Sequence, residues 1–114
     1  GYGLTGLPGT YTSPDRLVRS FMVANLMDDF EAEDGIAQLY AAFRPVIIPR
    51  GMERNTSEDI LSDYTRYWSG YDLKQRTVYI QTGRGLAITA KCLNQTATTI
   101  SFDEVDTGNY IHEI

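Results

Sequence analysis

Cysteine and histidine occur once each in 114 residues, as Cys92 and His112. A single cysteine excludes an internal disulfide and any cysteine-based zinc cluster. A single histidine leaves little for a histidine-centred metal site or a catalytic triad, so neither metal nor cofactor is expected. Basic residues are also scarce, ten Lys and Arg against fifteen Asp and Glu, giving a formal charge of −5. That balance argues against nucleic acid or an anionic membrane as partner, since both need basic clusters. No apolar run approaches the roughly 20 residues of a membrane span, and no basic-then-apolar signal segment opens the chain. The first residue is Gly1 rather than methionine, from which a chain that was processed, cut from something longer, or made artificially in this form is expected.

What is present suffices for one unit, residues 1–114, with 42% hydrophobic and 11% aromatic residues to build a core. The stretch Gly1-Tyr-Gly-Leu-Thr-Gly-Leu-Pro-Gly9 holds four glycines and a proline, a composition for a loop rather than a helix or strand. Gly1, Gly3 and Gly6 match G-x-G-x-x-G, but no strand precedes them and Leu7-Pro8-Gly9 continues the loop. The dinucleotide-binding context is therefore absent. The better reading is a loop whose backbone passes close to something. A helix start follows, with Ser13 as N-cap, Pro14 in the first helical position and Asp15 at the positive end of the dipole. Arg16 runs against this pattern, because a cation in the first turn opposes the helix dipole by about 0.3–1 kcal/mol if exposed. A cation so placed points to an anion nearby.

From Pro14 to about Met27 apolar residues recur at helical spacing, with Leu17, Phe21, Val18 and Met22 expected to face a core. Arg19 beside that stripe reads as a solvated or salt-bridged surface residue. The acidic run Asp28–Gly35 lacks the alternating spacing of a calcium loop and reads as a solvated connection capping the next helix. Ile36, Leu39, Tyr40 and Phe43 describe a second amphipathic helix that Pro45 should end near Phe43. Residues 46–51 read as extended, and 52–59 as polar and irregular. Asn55-Thr56-Ser57 and Asn94-Gln95-Thr96 are glycosylation sequons, triplets that carry little weight alone.

After Ile60 the period becomes strand-like. Strands are expected at 64–71, 77–82, 86–91 and 98–102, with turns at 72–76 and 83–85 short enough for an antiparallel meander. Two helices followed by a meander make an α+β unit with helices on one sheet face. Cys92, at the end of the third strand, reads as a small buried hydrophobe, and His112 as a surface residue.

Gly6-Leu-Pro-Gly9 followed by Thr12-Ser-Pro-Asp-Arg16-Leu-Val-Arg19 resembles the GLPGD(F/Y)T-x-x-S-R-F-x-R stretch of choloylglycine hydrolases and penicillin V acylases. Asp63-Tyr-Thr-Arg-Tyr-Trp68, Tyr71-Asp-Leu73 and Val78-Tyr-Ile80 resemble that family's C-terminal strands, in the same order. The resemblance spans residues 1–102. It implies the C-terminal part of an αββα N-terminal-nucleophile hydrolase that cleaves linear non-peptide amides such as conjugated bile salts or penicillin V. It also implies a bacterial protein of cytoplasm or periplasm and a homo-oligomer. In such enzymes an N-terminal cysteine attacks the amide carbonyl, its own α-amine serves as base, and water resolves the thioester. Arg16 occupies the position of the family arginine that sits beside the nucleophile and favours its thiolate, and is the expected catalytic residue. Two positions depart from the pattern: Thr10 stands where the family has Asp, and Asp15 where it has Ser. A carboxylate at position 15 is placed to neutralise Arg16 in part.

The nucleophile's portion is not among these residues, so the chain alone is expected to be inert and to need that portion as partner. Two further readings remain at this point. One is a freestanding α+β module that binds an anion through loop N–H groups and Arg16 without catalysis. The weaker other is an independent hydrolase using Cys92.

Overall fold

The computed structural model describes residues 4–54, 62–94, 96–101 and 113–114. The chain divides into two compact units, Gly1–Thr65 and Arg66–Ile114. The first is helical and the second is a sheet, so the α+β class expected from the sequence is what the chain forms.

In the first unit, Leu4 to Leu7 make a tight turn closed by Leu7 N–H to the Leu4 carbonyl at 3.1 Å. Gly6 sits at its third position with φ +86°, the left-handed geometry that a type II turn demands there. A Cβ added at Gly6 or Gly9 would meet nothing within 4 Å. Gly6 serves the turn, and the close backbone approach expected of the loop is not made at Gly6 or Gly9 by any of the described residues.

Helix α1 runs Ser13–Leu26, one residue earlier than the sequence suggests. Thr12 is the N-cap, without a side-chain capping bond, and Pro14 and Asp15 lie in the first turn. Its packing differs more. Of the expected core stripe Met22 faces inward, half-buried, while the other three are turned outward: Leu17 is 70% exposed, Phe21 64% and Val18 42%. The inward face carries Arg19, Met22 and Val23, spaced at i, i+3 and i+4; they line an apolar groove of about 320 Å³ with Leu4, Leu7, Pro45 and Leu26 among others, Leu26 itself being 62% exposed. Periodicity had two stripes to choose from, since apolar residues occupy most of the helix circumference.

Helix α2, Gly35–Phe43, follows a 3₁₀ turn at Ala32–Asp34 that absorbs the end of the acidic run. Pro45 stops it as expected, through a second 3₁₀ turn at Arg44–Val46. Helix α1 packs against both α2 and this second turn. Tyr40 is buried and meets Phe43 edge to face, with ring centroids 5.8 Å apart. Beyond the turn, Ile48 is buried and its extended backbone is tied to Thr65: Ile48 N–H donates to Thr65 Oγ1 at 2.8 Å, and Thr65 N–H to the Ile48 carbonyl at 3.0 Å. The first sequon and residue 95 of the second lie outside the described residues.

The second unit is an antiparallel meander of β1 Tyr67–Asp72, β2 Thr77–Thr82 and β3 Thr89–Cys92, in the order β1-β2-β3. Register is set by Asp72↔Thr77 at the first turn and Ile80↔Thr89 across the second pair. Asp72 Oδ1 accepts the Gln75 N–H at 2.9 Å within the first turn, which Arg76 leaves at φ +52°. Strand β2 has the expected bounds. Strand β3 starts three residues late, because Gly83, Arg84 and the residues up to Ile88 are spent on the connection. Of the expected fourth strand, residues 98–101 are irregular, and Phe102 lies outside the described residues.

Candidate functional site

The opening of α1 carries two arginines with opposite fates. Side chains on a helix lean toward its N-terminus, and Arg16 follows this back over the first turn. Its Nε donates to the Tyr11 carbonyl at 2.9 Å and its Nη2 to Ser13 Oγ at 3.2 Å. Both acceptors are neutral, and the side chain is only part-buried. The remaining guanidinium N–H groups have no partner among the described residues. Arg16 thus stands at the positive end of α1 as a cation that no carboxylate of the described residues offsets.

Asp15 does not supply that carboxylate. It turns the other way, accepting from the Thr10 N–H at 3.2 Å and from the Thr10 hydroxyl. The two departures from the family pattern are therefore two ends of one interaction. A hydroxyl in the loop donates to a carboxylate on the helix, where the pattern places the carboxylate in the loop and the hydroxyl on the helix. If they are one unit, Thr10→Asp and Asp15→Ser should each cost about 1 kcal/mol singly, by like-charge contact and by loss of a charge-assisted bond. The double variant should recover most of that loss in thermal unfolding of the protein. A double variant as damaged as the sum of the singles would show that the positions do not communicate.

Arg19, three residues on, is not the surface residue that its charge suggests. It is 7% exposed. Its Nε donates to the Pro45 carbonyl at 2.7 Å, and its Nη1 to the Pro8 and Thr10 carbonyls at 2.9 and 2.6 Å. The guanidinium also lies 5.9 Å from the centroid of the Tyr11 ring, within cation–π range. A signal for this was present in the sequence. A loop of glycine and proline presents carbonyls outside any ladder, which side chains or water must satisfy, and a nearby arginine is a candidate donor.

Cys92 is exposed rather than buried. Its thiol makes only long contacts, 3.9 Å to the Gln75 carbonyl and 3.8 Å to the Leu93 carbonyl. It lines a hollow of about 360 Å³ on the sheet with Lys91 and Tyr67. No described residue of that lining is a carboxylate or imidazole, so the thiol lacks a base of either kind there. His112 lies outside the described residues. Burial raises the Tyr40 phenol above its ordinary pKa of 10.0, an effect of packing in α2. Among the described residues no group of His, Cys, Asp and Glu could hold a metal ion, and no helix is long and apolar enough to cross a membrane.

A family model described as linear amide C-N hydrolases, choloylglycine hydrolase family, matches residues 1–107. The chain belongs to that family. Solved structures agree. A variant of the conjugated bile acid hydrolase from Clostridium perfringens is similar at 30% identity over 85% of this chain, with a TM-score of 0.61. A second variant of that enzyme is similar at 27% identity over 98% of the chain, with a TM-score of 0.68. Penicillin V acylase from Agrobacterium tumefaciens shares the fold, at 23% identity over 82% of the chain and a TM-score of 0.65. No curated protein matches the chain. The chain spans about a third of the length of these structures, 29%, 36% and 29% respectively.

Proposed function

We propose that these residues form the C-terminal part of an enzyme that hydrolyses linear non-peptide amides of the conjugated bile salt or penicillin V type. The nucleophile is an N-terminal cysteine carried by a portion outside the 114 residues. Its thiolate attacks the amide carbonyl, its α-amine takes the proton and passes it to the departing amine, and water then cleaves the thioester. Arg16 stabilises the thiolate and the negative charge that develops on the carbonyl oxygen. The family match supports the reaction class. The observation that carries the role of Arg16 is its guanidinium, anchored through neutral oxygens only and so left with its full charge for an anion.

The test is hydrolysis of a conjugated bile salt and of penicillin V by the complete enzyme, beside the 114-residue chain alone. The complete enzyme is expected to turn over at least one of them, and the chain alone neither. Cys92→Ala in the complete enzyme should keep wild-type turnover. Loss of the thioester intermediate in Cys92→Ala would move the nucleophile into this chain and overturn the reading. An anion-binding module without catalysis would instead show tight anion binding by the chain alone and no turnover in any form.

A further inference from the structure

Arg19 is an expensive way to occupy an inward helix position. Burying a guanidinium removes its hydration, and nothing anionic among the described residues compensates. An apolar side chain would fill the same place beside Met22 and Val23 at lower cost. What a guanidinium adds is a planar fork of donors. Here that fork joins two segments distant in sequence. Nε reaches the Pro45 carbonyl in the turn after α2, while Nη1 reaches the Pro8 and Thr10 carbonyls of the opening loop. The loop is therefore held from the α2 side, through one side chain.

The next carbonyl along the loop is that of Tyr11, and it accepts from Arg16 Nε. Thr10 C=O and the Tyr11 N–H belong to one rigid planar peptide unit. Fixing the Thr10 carbonyl fixes the plane of the Tyr11 N–H, so that only φ and ψ of Tyr11 separate the pinned peptide from the Tyr11 carbonyl. The Tyr11 ring, 5.9 Å from Arg19, restricts the same residue from its side chain.

Resting on the reading of Arg16 given above, we propose that Arg19 is a positioning residue for Arg16. It pins the Pro8 and Thr10 carbonyls to the turn after α2, and so sets the Tyr11 carbonyl that aims the Arg16 guanidinium. The precision matters because misplacement of a charged group by about 1 Å in an active site can cost on the order of a hundredfold in rate.

Arg19→Lys and Arg19→Gln in the complete enzyme test this, each measured as kcat per titrated nucleophile and as a crystal structure. Lysine keeps the charge and glutamine keeps two amide donors, but neither reproduces a fork spanning both segments. Either variant, whichever folds, is expected to lower kcat per active site about tenfold with KM within about twofold. The Arg16 Nε bond to Tyr11 should be lost or displaced in its structure. In an Arg16→Ala background the Arg19 substitution should cost nothing further, as befits a residue acting through another. A purely structural role would reduce the amount of active enzyme and leave kcat per active site unchanged, which would overturn the proposal. So would an Arg16 that keeps its place in the variant structure, or an Arg19 effect that adds in full to that of Arg16→Ala. Displacement of Arg16 with Arg16→Ala itself silent would leave the positioning intact and remove instead the catalytic role of Arg16.

Discussion

Arg16→Ala in the complete enzyme is expected to lower kcat by roughly tenfold or more, with little loss of folding. The two halves of that expectation have separate causes. On the catalytic side, a full charge about 4–5 Å from a thiolate at an effective dielectric near 20 is worth roughly 3–4 kcal/mol before screening. A tenfold effect needs only about 1.4 kcal/mol of it. On the stability side, truncation removes two bonds, to Tyr11 and Ser13, from a part-buried side chain. Each is worth about 0.5–1.5 kcal/mol net. Against this, the substitution relieves a cation placed at the positive end of α1, which returns about 0.3–1 kcal/mol. Steady-state kinetics with thermal unfolding of the same variant separates the two. Wild-type turnover would take Arg16 out of the site. A collapsed melting temperature would mean that Arg16 acts on the fold, not on the chemistry.

Local chemistry in the chain was legible where it is self-contained. Pro45 stopped α2 at Phe43 because proline removes an N–H whatever surrounds it. The β-formers Thr77 to Thr82 kept their bounds because polar turn residues flank them on both sides. Pro14 and Asp15 stood in the first turn of α1 where the sequence put them, with the N-cap one residue earlier, at Thr12. Failures began where a residue answers to something distant. Arg19 bonds Pro45, 26 residues away in the chain, and no spacing rule within α1 anticipates that. Charge alone assigns an arginine to the surface. A buried one is explained only by carbonyls that arrive from elsewhere. The same limit governs Leu17, Val18 and Phe21, since an apolar stripe names a face without naming its neighbour. Thr98 to Ile100 have strand composition, yet a strand needs a partner edge, and these residues form no ladder among the described ones. Cys92 looked like a buried hydrophobe by residue type, but it ends β3, an edge strand of the meander, where no described residue of the second unit buries it.

The outward stripe of α1 sets the second large expectation: the 114-residue chain alone should associate or bind hydrophobic dye, and should stop doing so with the proposed nucleophile-bearing portion in place. Among the described residues only Tyr40 and Ile48 are buried hydrophobics, and no side chain falls below 2% exposure. Leu17 and Phe21, at i and i+4, lie on one face with Val18 beside them. Full burial of each would contribute about 1.5–3 kcal/mol. Three such residues together rival the net stability of a small domain, about 5–15 kcal/mol, so a face of this kind is costly to leave in water. The sheet unit adds Tyr71 and Leu86, at 64% and 59% exposure. Light scattering of the chain alone should report species larger than a monomer, and co-expression with the proposed nucleophile-bearing portion should yield a defined complex. The double substitution Leu17→Ser with Phe21→Ser separates the causes. It should make the lone chain more soluble and at the same time weaken or abolish formation of the complex, because the two events draw on the same face. A lone chain that is monodisperse and dye-negative would show that this face is stably solvated, and the case for a covering portion would then rest on the family match alone.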